Sequence, residues 1–339
     1  MAKNSIELIK HQKENPEEWI IENVVPKNEV ILISAKKNSY KTFVAVSLGL
    51  MHASREPTRT GLGVLRVMQN AGTMYLALEG KAGFGNRVQS ALENDFYGDE
   101  GRYFFTDFDD SRKTQFTHVW DLADPDQGWE WQAFFLLQDG CNLLIIDTLS
   151  KAMNGNENDQ ATARIVVNNL YRIIREANKK YKRDMTIILV AHEGQDARSG
   201  TRGSSIFESD ISTVLRIKKI SDTKGKLIVS KCKTLDAEGK EYPFTTQKDH
   251  KLKTLWIDWR KDKTLKESIL DALENGFSFE RKDLMNDMAI DWESKYKDRR
   301  NYTTSFNNAA KSLFTDHLLC EDEYSKGKLL LNPIDTSSK

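Results

Sequence analysis

VILISAKKNSYKTFVAVSLG, residues Val30 to Gly49, carries two periodicities back to back. Val30 to Ile33 is an unbroken, largely β-branched apolar run of the kind that forms a strand buried on both faces. Thr42 to Leu50 repeats its apolar residues at helical spacing. The loop between them is polar and ends in Lys41-Thr42. A strand that turns through a short loop into a helix opening on Lys-Thr is the layout of the phosphate-binding P-loop, G-x-x-x-x-G-K-[ST]. Ala35 stands at its first glycine position and Tyr40 at its second.

In such a loop, backbone N–H groups and the helix N-terminus face the phosphates, a lysine ammonium neutralises them, and a hydroxyl ligates Mg²⁺. Ala35, Lys36, Lys37, Asn38, Ser39, Tyr40, Lys41 and Thr42 are therefore the candidate nucleotide-binding segment. Lys41 and Thr42 carry its chemistry, with Lys41 expected on an exposed turn. Glycines serve such loops by adopting positive φ. Asn is the substitute that visits that region readily, and the loop carries one at Asn38. The bland alternative is a strand, turn and helix with an exposed basic turn.

Outward from the loop, further apolar strands end in polar residues. Thr73 to Leu78 (TMYLAL) stops at Glu79-Gly80, Asn142 to Asp147 (NLLIID) ends in its own carboxylate, and Met185 to Ala191 (MTIILVA) runs into His192. Between the last two, Ala161 to Ala177 places Ile165, Val166, Leu170, Ile173, Ile174 and Ala177 on one helix face. Strand, helix and strand in that order form a crossover, so the sheet is expected to be parallel, with function at the C-terminal strand ends. Lys41, Glu79, Asp147 and His192 all fall there. Beside a P-loop, Asp147 suits the Mg²⁺ shell on the Thr42 side, and Glu79 suits orienting or deprotonating an attacking water. Without that setting, Asp147 caps a loop, Glu79 is a solvated acid and His192 is an ordinary hydrogen-bonding residue.

The chain has 339 residues, enough for a large and a small domain, placed at 1–263 and 264–339. Its 50 Lys and Arg balance 50 Asp and Glu, so any nucleic-acid signal must be local. Cys141, Cys232 and Cys320 are scattered and lack metal-ligand spacing, which fits buried thiols in a reducing compartment. Apolar runs are only strand-sized and the N-terminus has no signal pattern, so a cytoplasmic location without membrane contact is expected.

Weaker elements fill the gaps. Trp19 to Ile21 with Val24-Val25 forms a short packing segment. Asn86 to Asn94 and Trp129 to Leu137 read as helices, and Tyr103 to Thr106 as a strand. Glu193 to Ser205 is a Gly-, Ser- and Arg-rich loop whose Arg198 and Arg202 can reach anions outside their own subunit. Thr213 to Lys218, Gly225 to Ser230 and Thr254 to Trp259 read as strands. Between Val214 and Glu267, Lys and Arg outnumber Asp and Glu 15 to 8, a basic patch that suits phosphates or simply solvates a surface. Beyond it, Leu265 to Glu274, Arg281 to Ile290 and Tyr302 to Leu319 are amphipathic helices, and Tyr324 to Leu331 is a hairpin around Lys326-Gly327. Three helices and a hairpin are the winged-helix order, in which Arg299, Arg300 and Lys311 suit DNA. Winged helices also serve as protein contacts.

Taken together these residues resemble the RecA-type ATPase core, and most of all the RepA-type hexameric replicative helicases of plasmids and phages. The resemblance runs through Trp19-Ile20, Ser39-Tyr40-Lys41-Thr42, Leu78-Glu79-Gly80, Ile145 to Ser150, Val190-Ala191-His192, Thr201 to Ser205 and Asp210, and spans about residues 16 to 260. In that family an aromatic residue often precedes the P-loop lysine, as Tyr40 does here. The resemblance implies a RecA-like, mostly parallel α/β sheet flanked by helices, with a small winged-helix-like C-terminal domain. It implies ATP as substrate, Mg²⁺ as cofactor, Lys41 on phosphate, Thr42 and Asp147 on the metal, Glu79 as catalytic carboxylate and His192 as γ-phosphate sensor. Arg202 matches the arginine finger that reaches a neighbour's nucleotide. Lys231 and Lys233 resemble a Lys-x-Arg pair used similarly, from which Lys233 departs. The implied assembly is a ring of six around single-stranded DNA, with loops Met153 to Gln160 and Gly194 to Ser204 facing the channel. Two other functions compete: a recombination or annealing ATPase of the same fold, and a DNA-binding module regulated by nucleotide without turnover. Intact Glu79 and Asp147 weigh against the second.

Overall fold

The computed structural model describes residues 18–54, 65–80, 82–94, 104–107, 121–126, 140–193, 205–233, 236–259, 269, 279–280, 284–286, 299–315, 319–321 and 328–331. The chain divides into two compact units, Met1–Lys261 and Asp262–Lys339.

In the first unit the apolar runs of the sequence become the middle of one nine-stranded sheet. Its parallel part consists of β3 (Val30–Ala35), β4 (Gly72–Ala77), β5 (Phe104–Asp107), β6 (Cys141–Asp147), β7 (Thr186–His192) and β8 (Thr213–Lys219). Across the sheet they run in the order β8, β3, β7, β6, β4, β5. Beyond β8 the sheet continues antiparallel through β9 (Lys224–Cys232), β10 (Glu241–Asp249) and β11 (Thr254–Asp258). The segment EYPFTTQKD of β10 alternates its exposure and carries a proline near its start, which hides it from a search for apolar runs. Trp19–Ile21 (β1) and Val25–Pro26 (β2) form a separate two-stranded antiparallel ribbon, and Ile20, Ile21, Val24 and Val25 pack into the core as expected of this segment.

Both faces of the central strands are covered. Alternate side chains point to opposite faces, so Ile31 and Ile33 join the cluster beneath α1 (Lys41–Ala53) and α2 (Phe84–Asn94), while Val30 and Leu32 join the one beneath α3 (Gln160–Tyr181) and α4 (Ser205–Asp210). Burial on both sides is why these strands read as unbroken apolar runs. Asp159 starts α3 by accepting the Thr162 N–H, and Lys182 ends it with φ 55°. The result is the RecA-like, mostly parallel α/β sheet flanked by helices that the sequence implies.

Register then aligns the strand ends. Ala35 pairs with His192, and Asp147 pairs with both Ala77 and Val190. The connection after β3 leaves toward β4, whereas that after β7 returns past β3 to β8, so the sheet changes direction between β3 and β7. A crevice opens at such a switch, outside the carboxyl ends of the strands.

The second unit contains α5 (Arg299–Thr315) and a three-stranded antiparallel sheet of β12 (Phe279–Glu280), β14 (Lys328–Leu331) and β13 (Leu319–Glu321), in that order. The expected helix from Tyr302 to Leu319 is instead shorter at its C-terminal end, because Leu319 starts β13. The hairpin pairs Leu319 with Leu331 and Glu321 with Leu329, wider than the expected Tyr324 to Leu331. Most of the two shorter expected helices, and all of Trp129 to Leu137, lie outside the described residues.

Candidate active site

The P-loop leaves β3 at Ala35 and enters α1 at Lys41. Asn38 has φ 62° and Tyr40 φ 65°, so the loop makes two left-handed turns without a glycine. Tyr40 is held in that strained conformation from outside the loop. Its hydroxyl donates to the Asp222 carbonyl at 2.8 Å in the β8–β9 turn, and its ring meets Phe244 edge-on at 6.3 Å and the Lys219 ammonium at 5.5 Å. Tyr40 offers α1 no side-chain cap, so the first helical N–H groups remain directed at the crevice.

Lys41 lies in the crevice rather than on an exposed turn: it is 8% exposed. The neighbouring strand ends fold around it, and its ammonium donates to His192 Nδ1 at 3.0 Å. Burial lowers its pKa, against the opposing pull of Asp147, Glu79 and Glu193. Because Nδ1 accepts from Lys41, the ring proton belongs on Nε2, which faces Glu79 Oε2 at 3.5 Å. Thr148 Oγ1 also donates to Glu79 Oε2, at 3.1 Å. Burial would raise the Glu79 pKa, but Thr148, His192 and Lys41 outweigh it and lower it. Glu79 is placed there by backbone: the N–H groups of Leu78 and Glu79 both donate to the Asp147 carbonyl, at 2.8 and 3.2 Å.

Asp147 is almost fully buried, and burial raises its pKa, opposed by Thr42, Tyr75 and Lys41. Thr42 Oγ1 and Tyr75 Oη each donate to its Oδ2 at 2.7 Å. Its Oδ1 is buried with no hydrogen-bond partner among the described residues. The orphaned oxygen fits a Mg²⁺ hydration shell beside the Thr42 hydroxyl. Among the described residues no group of three or more His, Cys, Asp or Glu could hold a metal ion by itself.

Lys41, Thr42, Glu79, Asp147, Thr148 and His192 line a cavity of 240 Å³ together with the loop from Lys37 to Tyr40, Phe43, Gly80 and Arg87. Ala35 and Lys36 do not line it. Ala35 instead accepts the Glu193 N–H at the base of the loop, at 2.9 Å. Arg87 is a cavity residue that strand-end reasoning missed, because it projects from the first turn of α2. Its guanidinium lies over the Phe43 ring at 5.5 Å and beside Gly80, whose φ of 65° favours glycine. The available signal was its position eight residues after Glu79.

Arg202 and the loop 194–204 lie outside the described residues. Lys231 Nζ donates to the carbonyls of Glu208, Ser209 (2.8 Å) and Ile211 (2.7 Å), and Lys233 Nζ donates to Ser209 at 2.9 Å. Both ammonium groups thus serve the C-terminal end of α4 in their own chain.

A parallel sheet with a lysine–threonine loop at its switch point and a carboxylate facing it from the second strand over defines a P-loop nucleotide hydrolase. Residues 3–198, more than half of the chain, match the family described as AAA domain, and the chain belongs to that family of P-loop ATPases. No curated protein matches it. Among solved structures it is similar to a KaiC-like protein from the archaeon Pyrococcus horikoshii, at 14% identity and a TM-score of 0.44 over 70% of this chain and 93% of that one. It is also similar to the RadB recombinase, at 12% identity and a TM-score of 0.42 over 68% and 90%. Likeness of shape at such identity does not assign a substrate.

Proposed function

We propose that the chain hydrolyses ATP with Mg²⁺ and uses the reaction to move along single-stranded DNA, as a hexameric replicative helicase of the RepA type in the cytoplasm. The observation that carries the ATPase reading is the convergence of Lys41, Thr42, Glu79, Asp147 and His192 from four strand ends on one cavity. Lys41 and the open amides of α1 neutralise the β- and γ-phosphates. Thr42 and Asp147 would hold the Mg²⁺, which would supply positive charge against the phosphate oxygens. Glu79, with its lowered pKa, is ionised at neutral pH and orients the attacking water or takes its proton. His192 holds Lys41 and Glu79 in one hydrogen-bonded line, so a γ-phosphate that draws Lys41 away is felt at Glu79. Arg87 adds positive charge from the same chain.

In this reading the site is shared between subunits: Arg202, in the motif Thr201 to Ser205, supplies the finger from a neighbour. The basic excess between Val214 and Glu267 favours DNA as the partner, and in this reading the chain beyond Thr264 is a winged helix that would present Arg299, Arg300 and Lys311 to it.

The test is ATP hydrolysis with and without single-stranded DNA, alongside mass in solution. Stimulation by DNA in a species near six subunits is expected. A monomer whose hydrolysis ignores DNA would overturn the reading. Displacement of a strand from a tailed duplex separates a helicase from a recombination or annealing ATPase, and binding without phosphate release would identify the regulatory module.

A further inference from the structure

Tyr75 lies near the middle of β4, 0% exposed, with its ring centroid 4.8 Å from that of Phe84. Phenylalanine fills such a position without a hydroxyl to satisfy, so a buried tyrosine calls for a use of its Oη. That hydroxyl donates to Asp147 Oδ2, the oxygen that also accepts from Thr42. The two donors come from different elements: Thr42 from the first turn of α1, and Tyr75 from the strand beside β6, where it pairs with Ile145. Held from two directions through one oxygen, the carboxylate cannot turn about its χ2 without breaking a hydrogen bond. Its other oxygen, Oδ1, is thereby left facing away, buried and unpartnered among the described residues.

We infer that Tyr75 is a positioning residue of the ATP site, whose hydroxyl fixes Asp147 so that Oδ1 is the oxygen offered to the Mg²⁺ shell. The inference rests on the ATPase reading above. Thr42 cannot do this alone, because its single hydroxyl is also the expected ligand of the ion, and any adjustment it makes toward metal loosens its hold on Asp147. Tyr75 is not an expected ligand of the ion. Its ring is packed against Phe84 at the head of α2, so the phenol stays in place while Thr42 adjusts.

Tyr75→Phe removes the donor and keeps the ring. The measurement is binding of the fluorescent nucleotide mant-ADP in EDTA and across a Mg²⁺ titration, with thermal midpoints of both proteins. In EDTA the variant should bind as wild type does, within about twofold. The Mg²⁺ concentration that half-maximally tightens binding should rise about tenfold, the size expected for one hydrogen bond to a charged group. ATP hydrolysis lost at low Mg²⁺ should return when Mg²⁺ is raised. A merely space-filling tyrosine would leave the Mg²⁺ dependence untouched, and that result overturns the inference. A change of equal size with and without Mg²⁺ does so too. As a second variant, Asp147→Asn should show no further shift in Mg²⁺ dependence when Tyr75→Phe is added, and an additive shift would exclude action through Asp147. Wild-type protein that binds mant-ADP no better with Mg²⁺ than without overturns the ATPase reading as well, whereas normal wild-type dependence with an unchanged Tyr75→Phe sinks this inference alone.

Discussion

At Asn38 and Tyr40 the backbone has φ of 62° and 65°, and each side chain meets that demand differently. Asn tolerates the left-handed region through its short polar side chain, so Asn38→Gly should be neutral or slightly stabilising, whereas Asn38→Ala should destabilise by about 1 kcal/mol. Urea unfolding of the pair checks both signs. Tyr40 stays left-handed because Asp222, Phe244 and Lys219 hold its ring and hydroxyl from the far side of β8. Lys41 has a different duty. It is buried among groups of the site and contributes charge rather than apolar packing. Lys41→Ala should keep a wild-type circular dichroism spectrum and lose hydrolysis by at least about 10²-fold, the scale of removing a group that stabilises developing charge. Near-wild-type turnover in the folded variant would refute the site.

At the scale of elements, the seam between α1 and β4 contains a histidine outside the proposed chemistry. His52 is fully buried and its Nδ1 lies 2.8 Å from Thr73 Oγ1, which gives its own proton to the Gly49 carbonyl at 3.0 Å. Nδ1 is therefore the donor, and Nε2 is a bare nitrogen without a hydrogen-bond partner among the described residues. Burial drives the His52 pKa down from 6.5 to about 4, only partly opposed by Asn142. The folded-state value is the lower one, so the unfolded chain takes up a proton that the folded chain refuses. The contribution is fully present above pH 6.5 and drains away as pH falls toward 4, a loss of about 3 kcal/mol at 1.36 kcal/mol per pKa unit. His52→Gln should be less stable than wild type at neutral pH and lose less between pH 7 and pH 4.5. Equal losses in urea unfolding at the two pH values would show that His52 does not drive the dependence.

For the whole molecule, both apolar clusters and every described side chain of the candidate site fall within Met1–Lys261. A chain stopped after Lys261 should therefore fold and bind ATP, and an insoluble product would mean that the core needs the rest of the chain. Assembly is tested by mixing. Lys41→Ala lacks a working site but donates Arg202, whereas Arg202→Ala has the site and donates nothing. If Arg202 completes a neighbour's site, each variant alone should hydrolyse poorly, with the Arg202 loss near the 10³–10⁵-fold known for arginine fingers, and their mixture should recover activity. No recovery despite demonstrated subunit exchange would place Arg202 in its own subunit or outside the reaction.

Sequence alone determined the elements whose signal is local. Val30 to Ile33, Asn142 to Asp147 and Met185 to Ala191 are buried on both faces, so their apolar runs identify them as strands of a parallel sheet, and a polar residue ending such a run marks a strand end. Lys41, Glu79, Asp147 and His192 were legible in this way. Residues whose role depends on what lies opposite were not. Arg87 reaches the cavity from a helix turn, Tyr75 reads as one more apolar residue of TMYLAL until its hydroxyl is found against Asp147, and Lys231 and Lys233 look free until α4 is placed beside them. Lys41, read as exposed, is buried because His192 and the ends of β4 and β6 close around it. Periodicity encodes which way a side chain points relative to its own element. Only tertiary structure decides what it meets there, because hydrogen bonds and desolvation act between residues as distant in sequence as Tyr75 and Asp147, joined by strand order and register.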